Sequence, residues 1–177
     1  LSDIYAGRSV LVIDPKADLV NSILERIPES RYNDVVVIDP SDPCPVGFNP
    51  LSLSGNPVLI ADAILAVFKE IFAENWGIRS QDVLSAALLT LAEVKGSSLL
   101  WLPQLLTDEN FRHSLTDKIK DQIALKPFWN SYDNMRDSER KQEIAPVLNK
   151  IRQFLYRPGL RAILGQAEPK FQLTDLF

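Results

Sequence analysis

Two stretches end in the same way: VLVIDPKADLV at residues 10–20 and VVVIDPSDP at 35–43. Each places an aspartate, Asp14 or Asp39, directly after an apolar β-branched run and before a proline. If the runs are neighbouring parallel strands, both carboxylates lie at strand carboxyl ends, where open α/β sheets put their ligands. A carboxylate pair there suits Mg²⁺ or its waters. The competing reading is structural and is the one the residues favour. Asp14 caps a helix whose first residue is Pro15, where a missing N–H costs nothing. Asp39 opens a turn before Pro40.

Other chemistry is sparse. His113 and Cys44 are the sole histidine and cysteine. One of each cannot fill a tetrahedral metal shell. A Ser-His-Asp triad would need His113, which lies in the helical pattern FRHSL without a nucleophile elbow, so a solvated or cap-like histidine is expected. The chain contains neither G-x-x-x-x-G-K-[S/T] nor G-x-G-x-x-G. Residues 136–161 hold seven basic side chains (Arg136, Arg140, Lys141, Lys150, Arg152, Arg157, Arg161) against three acidic ones (Asp137, Glu139, Glu143). Such an excess suits phosphate contact, with Lys150, Arg152 and Arg157 as the contact candidates, or simply a solvated helix face, the blander of the two.

The elements that would position these groups follow from periodicity. RSVLVI (8–13) and DVVVI (34–38) have the pattern of strands buried on both faces. Between them Leu19, Val20, Ile23, Leu24 and Ile27 recur at helical spacing, and Pro28 ends the run. This predicts a right-handed parallel βαβ unit. Residues 39–57 are rich in proline and form a loop. From Asn56-Pro57 onward the pattern is helical. One helix carries Ile60, Ala61, Ile64, Leu65, Phe68, Ile71 and Phe72, and Gly77 breaks it. A second, which Ser80 can cap, buries Leu84, Ala87, Leu88 and Leu91, and Gly96 stops it. Short helices follow near 101–106, from Thr107 or Asp108, and at 122–131. A long one covers 138–156, kinked or divided by Pro146. Pro158 opens a last turn. The fold class expected is mostly α with a small parallel α/β part.

Composition bounds the function. A hydrophobic fraction of 46% over 177 residues supports a buried core rather than disorder. A formal net charge of −4 argues against a dedicated nucleic-acid binder. A single cysteine excludes an internal disulfide framework and favours a reducing compartment. The apolar-rich stretches 58–68 and 83–92 are too short to span a bilayer. The chain opens on Leu and holds only two strands of a sheet that needs more, so it reads as part of a longer protein.

In order along the chain, VLVIDPKADLV…ERIPESRYNDVVVIDPSDPCPVGFNPL, WGIRSQDVLSAALLTL (76–91), LLTDENFR (105–112) and IAPVLNKIRQFLYRPGLRAILGQ (144–166) resemble HerA/FtsK-type P-loop ATPases. More narrowly, they resemble the coupling proteins of conjugation and type IV secretion. The resemblance implies that residues 1–50 are part of a RecA-like nucleotide-binding domain. Residues 51–165 would be an all-α domain inserted into it, and 166–177 a linker back toward the ATPase sheet. In that family the phosphate loop (Walker A) lies just before a position like Leu1, and the Walker B strand after one like Phe177. Asp14 and Asp18 would then lie near the nucleotide pocket. Between them the family often has glycine, where this chain has Ala17.

The function implied is a piece of a ring-forming, homo-hexameric DNA-translocating ATPase, its helical domain contacting DNA or the transferred nucleoprotein. The alternative is a non-catalytic helical module that docks a relaxosome or secretion partner. Lacking both Walker motifs, the chain alone is expected to be inactive and to need no cofactor, with ATP and Mg²⁺ belonging to the longer protein. A cytoplasmic location is expected, with the longer protein at the inner face of the cell membrane.

Overall fold

The computed structural model describes residues 1–53, 55–172 and 175. The chain forms two units, one from Leu1–Val37 with the described residues after Lys170, the other from Ile38–Lys170. The division was expected near residue 50. Residues 38–50 instead belong with the helices, because the Phe48 N–H donates to the Ile163 carbonyl (3.0 Å) and Asn49 is wholly enclosed there.

The first unit is held by little. Helix α1 (Ser2–Tyr5) is a single turn, α2 is Asp18–Leu24, and a 3₁₀ segment follows at Glu29–Asp34. None of the three buries a residue. Tyr5 Oη donates to the Arg26 carbonyl (2.9 Å) and Arg31 Nη1 to the Ile4 carbonyl (2.9 Å). Here the expected α/β part is corrected. Residues 8–14 and 35–39 carry no strand, and among the described residues there is no sheet, so no parallel βαβ unit is present. The physical reason is partnership. A parallel strand is stable only when ladder hydrogen bonds and cover on both faces reward its extended backbone. Here Leu11 is 66% exposed and Ile13 85%. The β-branched runs encode a preference for extension, and nothing in the described chain meets it.

The second unit is a bundle of seven helices among the described residues: α3 (Pro57–Ile71), α4 (Ile78–Ala92), α5 (Leu102–Thr107), α6 (Glu109–Thr116), α7 (Leu125–Asp133), α8 (Asp137–Leu155) and α9 (Pro158–Leu164). Their starts follow capping chemistry. Asn56 Oδ1 accepts the Val58 N–H (2.9 Å) ahead of Pro57, and Asp108 Oδ1 accepts the Phe111 N–H (3.0 Å). Helix α4 departs from expectation. It begins at Ile78 behind Gly77, and Ser80 is buried inside it. Helix α8 runs through Pro146 without dividing.

Helix α4 is the centre. Ala87, Leu88 and Leu91 have no exposed surface. Helix α3 packs along one side of it and α8 along another. Buried polar groups near this core are matched to partners. Trp129 Nε1 donates to Thr90 Oγ1 (2.9 Å), Thr90 Oγ1 to the Ala86 carbonyl (2.8 Å), and Tyr132 Oη to the Leu106 carbonyl (2.8 Å). Aromatic edges fill the rest: Trp129 meets Tyr132 edge-to-face at 5.4 Å.

Candidate functional site

Helix α3 carries two apolar stripes. Ala61, Ile64, Leu65 and Phe68 face the core. Ile60, Ala63, Val67 and Ile71 recur three or four residues apart on an adjoining face. Val67 is 56% exposed and Ile71 54%, so this stripe is not spent on folding. It forms one wall of a pocket of about 330 Å³. The facing wall comes from Ile151, Phe154 and Leu155 of α8, the floor from Leu99, Leu100 and Leu102, and the ends from Leu164 of α9 and from Phe48, Pro50 and Leu53. Every lining residue among the described residues is apolar. The volume lies within the range of ligand pockets, but such pockets usually include a few converging polar groups. Among the described residues this one has none, so what it offers is apolar recognition.

The loop wall is fixed by Asn49. Its Nδ2 donates to the carbonyls of Ser97 (2.7 Å) and Ala167 (3.1 Å), and its Oδ1 accepts the Leu51 N–H (3.1 Å). Beside it the buried Ser98 Oγ has no partner among the described residues.

A second pocket, about 310 Å³, is lined by Phe72, Pro146, Asn149, Lys150 and Gln153. Phe68 and Phe154 line the first pocket and Phe72 the second, and the three rings form one aromatic cluster. Phe154 meets Phe68 at 5.5 Å and Phe72 at 6.0 Å. Lys150 is 7% exposed. Its Nζ has one long contact, to the Pro146 carbonyl (3.4 Å), and lies 5.8 Å from the centre of the Trp76 ring. Burial lowers its pKa from the ordinary lysine range.

The residues singled out from sequence are placed as follows. Asp14 accepts the backbone N–H groups of Lys16 (3.1 Å), Leu19 (2.8 Å) and Val20 (3.2 Å). The Lys16 and Val20 bonds are the leading causes that hold its carboxyl below its ordinary range. Asp14 therefore serves the start of α2 from four residues upstream, across the turn at Pro15 and Lys16, rather than as the adjacent N-cap. Asp18 is the first, exposed residue of α2. Asp39 accepts from the Ser41 hydroxyl (2.7 Å) and N–H (2.8 Å), which lower its pKa in that order. Among the described residues no three His, Cys, Asp or Glu side chains gather as a metal shell would require. His113 is 46% exposed, its Nε2 3.0 Å from Asp133 Oδ2. Of the three basic candidates, Lys150 is inside, whereas Arg152 and Arg157 are exposed. They do not share one exposed face.

Several residues of this region were not singled out. Val67 and Ala63 could have been found as a second stripe within α3. Phe72 was assigned to the first stripe, but its place in the second pocket depends on α8, which no local pattern reports. No helix is long and apolar enough to cross a membrane among the described residues. No protein-family model, curated protein or solved structure matches the chain.

Proposed function

We propose that the helical unit is a protein-docking module whose groove between α3, α8 and α9 takes the apolar face of an amphipathic segment from a partner protein. The observation that carries this is the second apolar stripe of α3. A helix in a small domain does not leave Val67 and Ile71 half exposed above a preformed apolar pocket for the sake of stability. Charge favours the same occupant. Arg152 and Arg157 are exposed and form no ion pair among the described residues, so an apolar segment with acidic flanks is the complementary ligand. The resemblance to coupling proteins supports this reading, because the inserted helical domain of that family is associated with docking relaxosome or protein substrates. On that reading the longer protein is a DNA-translocating ATPase, and this chain supplies recognition rather than the groups that hold phosphates.

The test is methyl NMR of the chain titrated with a synthetic amphipathic helical peptide bearing leucines at i, i+3, i+4 and i+7. The Val67 and Ile71 methyl signals should shift saturably, and the Ile71 shift should vanish with Val67→Glu, an exposed position where folding is retained. Silence at both methyls refutes the proposal. The second reading, DNA contact, rests on the same two exposed arginines. It predicts duplex binding that weakens steeply with salt and is reduced by Arg152→Glu with Arg157→Glu.

A further inference from the structure

We propose that the pocket around Lys150 is a carboxylate seat that receives an acidic side chain of the docked segment. This rests on the docking reading and adds the chemistry that fixes the segment's register. Lys150 is 7% exposed as a residue, and its ammonium, which is only partly buried, has no ion pair among the described residues. Enclosed charges in folded proteins are ordinarily paired, since removing an ion from water without a counter-charge is costly. What Lys150 has is one carbonyl at 3.4 Å and the Trp76 ring at 5.8 Å, which leaves ammonium protons unsatisfied. The space beside it is open, about 310 Å³, and the two other polar side chains lining it are the amides of Asn149 and Gln153. Amide N–H groups and an ammonium are donors suited to an oxyanion. One formal charge with two neutral amides matches a carboxylate. A phosphate, at about −1.5 to −2, would be left under-neutralised. Arg152, the nearest candidate for a second cation in sequence, does not line the pocket. Phe72 of this seat forms one aromatic cluster with Phe68 and Phe154 of the apolar groove.

The experiment titrates the whole chain with sodium acetate, and separately with inorganic phosphate, at ionic strength held constant with chloride. The readouts are the Lys150 side-chain methylene and the Trp76 indole NMR signals. Acetate should shift both saturably. Gln153→Ala should weaken the apparent affinity about tenfold, the weight of one hydrogen bond to a charged group. Lys150→Met, which keeps the side chain's length and relieves a buried charge, should stay folded and abolish the saturable shift at Trp76. No saturable shift with acetate, or an unchanged one in Lys150→Met, overturns the carboxylate seat. Tighter binding of phosphate than of acetate overturns it in favour of a phosphate site. If the amphipathic peptide still moves the Val67 and Ile71 methyls while acetate does nothing at Lys150, the seat fails and the docking groove stands. If acetate binds while the peptide does not, the docking reading fails and the docked acidic side chain with it, and what stands is a site for a free carboxylate.

Discussion

Replacing Asp133 by alanine should be among the most damaging single changes in the helical unit. The Arg112 side chain is 1% exposed. Its Nε donates to Asp133 Oδ1 at 2.7 Å, Nη2 approaches the same oxygen at 2.5 Å, and Nη1 donates to the Leu105 carbonyl at 3.2 Å. Its guanidinium carbon stands 5.0 Å from the Tyr132 ring centre. Without Asp133 a buried guanidinium keeps one carbonyl and one ring face and loses its ion-pair partner among the described residues. Breaking a buried pair in this way costs about 3–5 kcal/mol. Asp133 is itself 22% exposed, so water can reach the vacated place, which puts the expected loss near ~3 kcal/mol. Urea unfolding at constant m-value is the assay. Arg112→Met should cost less, because the carboxylate left behind keeps His113 and partial solvation. The double variant should be more stable than Asp133→Ala alone, since no orphaned charge remains. If Asp133→Ala costs under about 1 kcal/mol, the range of an exposed pair, the claim that Arg112 is desolvated is refuted.

Three further outcomes are expected. A Cβ at Gly159 would collide with the backbone carbonyl of Pro40, which has no rotamer by which to yield. Gly159→Ala should lower stability by about 1–3 kcal/mol and speed amide exchange at Phe48, whose N–H bonds to α9. Ala17 holds φ = 65°, a left-handed conformation that penalises any Cβ. Ala17→Gly should slow amide exchange at Leu19 and Val20 by the net of that relief and glycine's extra unfolded-state entropy, about 0.5–1 kcal/mol. The Phe111 N–H is the leading cause that holds the Asp108 carboxyl below its ordinary range. A folded pKa below the unfolded one means that this contribution is complete above about pH 3.9 and is lost as pH falls through the lower folded value. Asp108→Asn should flatten that part of the acid limb in urea midpoints, and an unaltered limb would contradict the assignment.

The helical half was legible because each of its signals is local. Asn56-Pro57 and Asp108 declare helix starts through groups two or three residues away, and the Leu84–Leu91 stripe shows a face whose partner can be any other apolar face. The βαβ expectation failed because a strand's partner is not local. VLVI and VVVI report extension, while a sheet requires neighbours that the described residues do not supply. The basic stretch misled differently. Lys150, Arg152 and Arg157 are close in sequence, but on a helix the helical period decides sidedness, and Lys150 falls beside Val147 and Ile151 on the buried side. Asp14 was legible as a cap, though not its reach across four residues, because that depends on Ala17 adopting a conformation alanine seldom takes.

The Asn49 amide has a consequence for the order of assembly. It joins carbonyls at sequence separations of 48 and 118 residues. Contacts closing such long loops form only after the chain between them is largely arranged. The packing of α3 on α4 needs a connection of a few residues and can come first. The wall built from Phe48, Pro50 and Leu53 comes last, when the segment after α9 arrives to be gripped. Chain released from synthesis only as far as α8 would thus hold most of its core while its groove still lacked an end. Binding competence would appear as a late event, controlled by Asn49 and separable from the stability of the bundle.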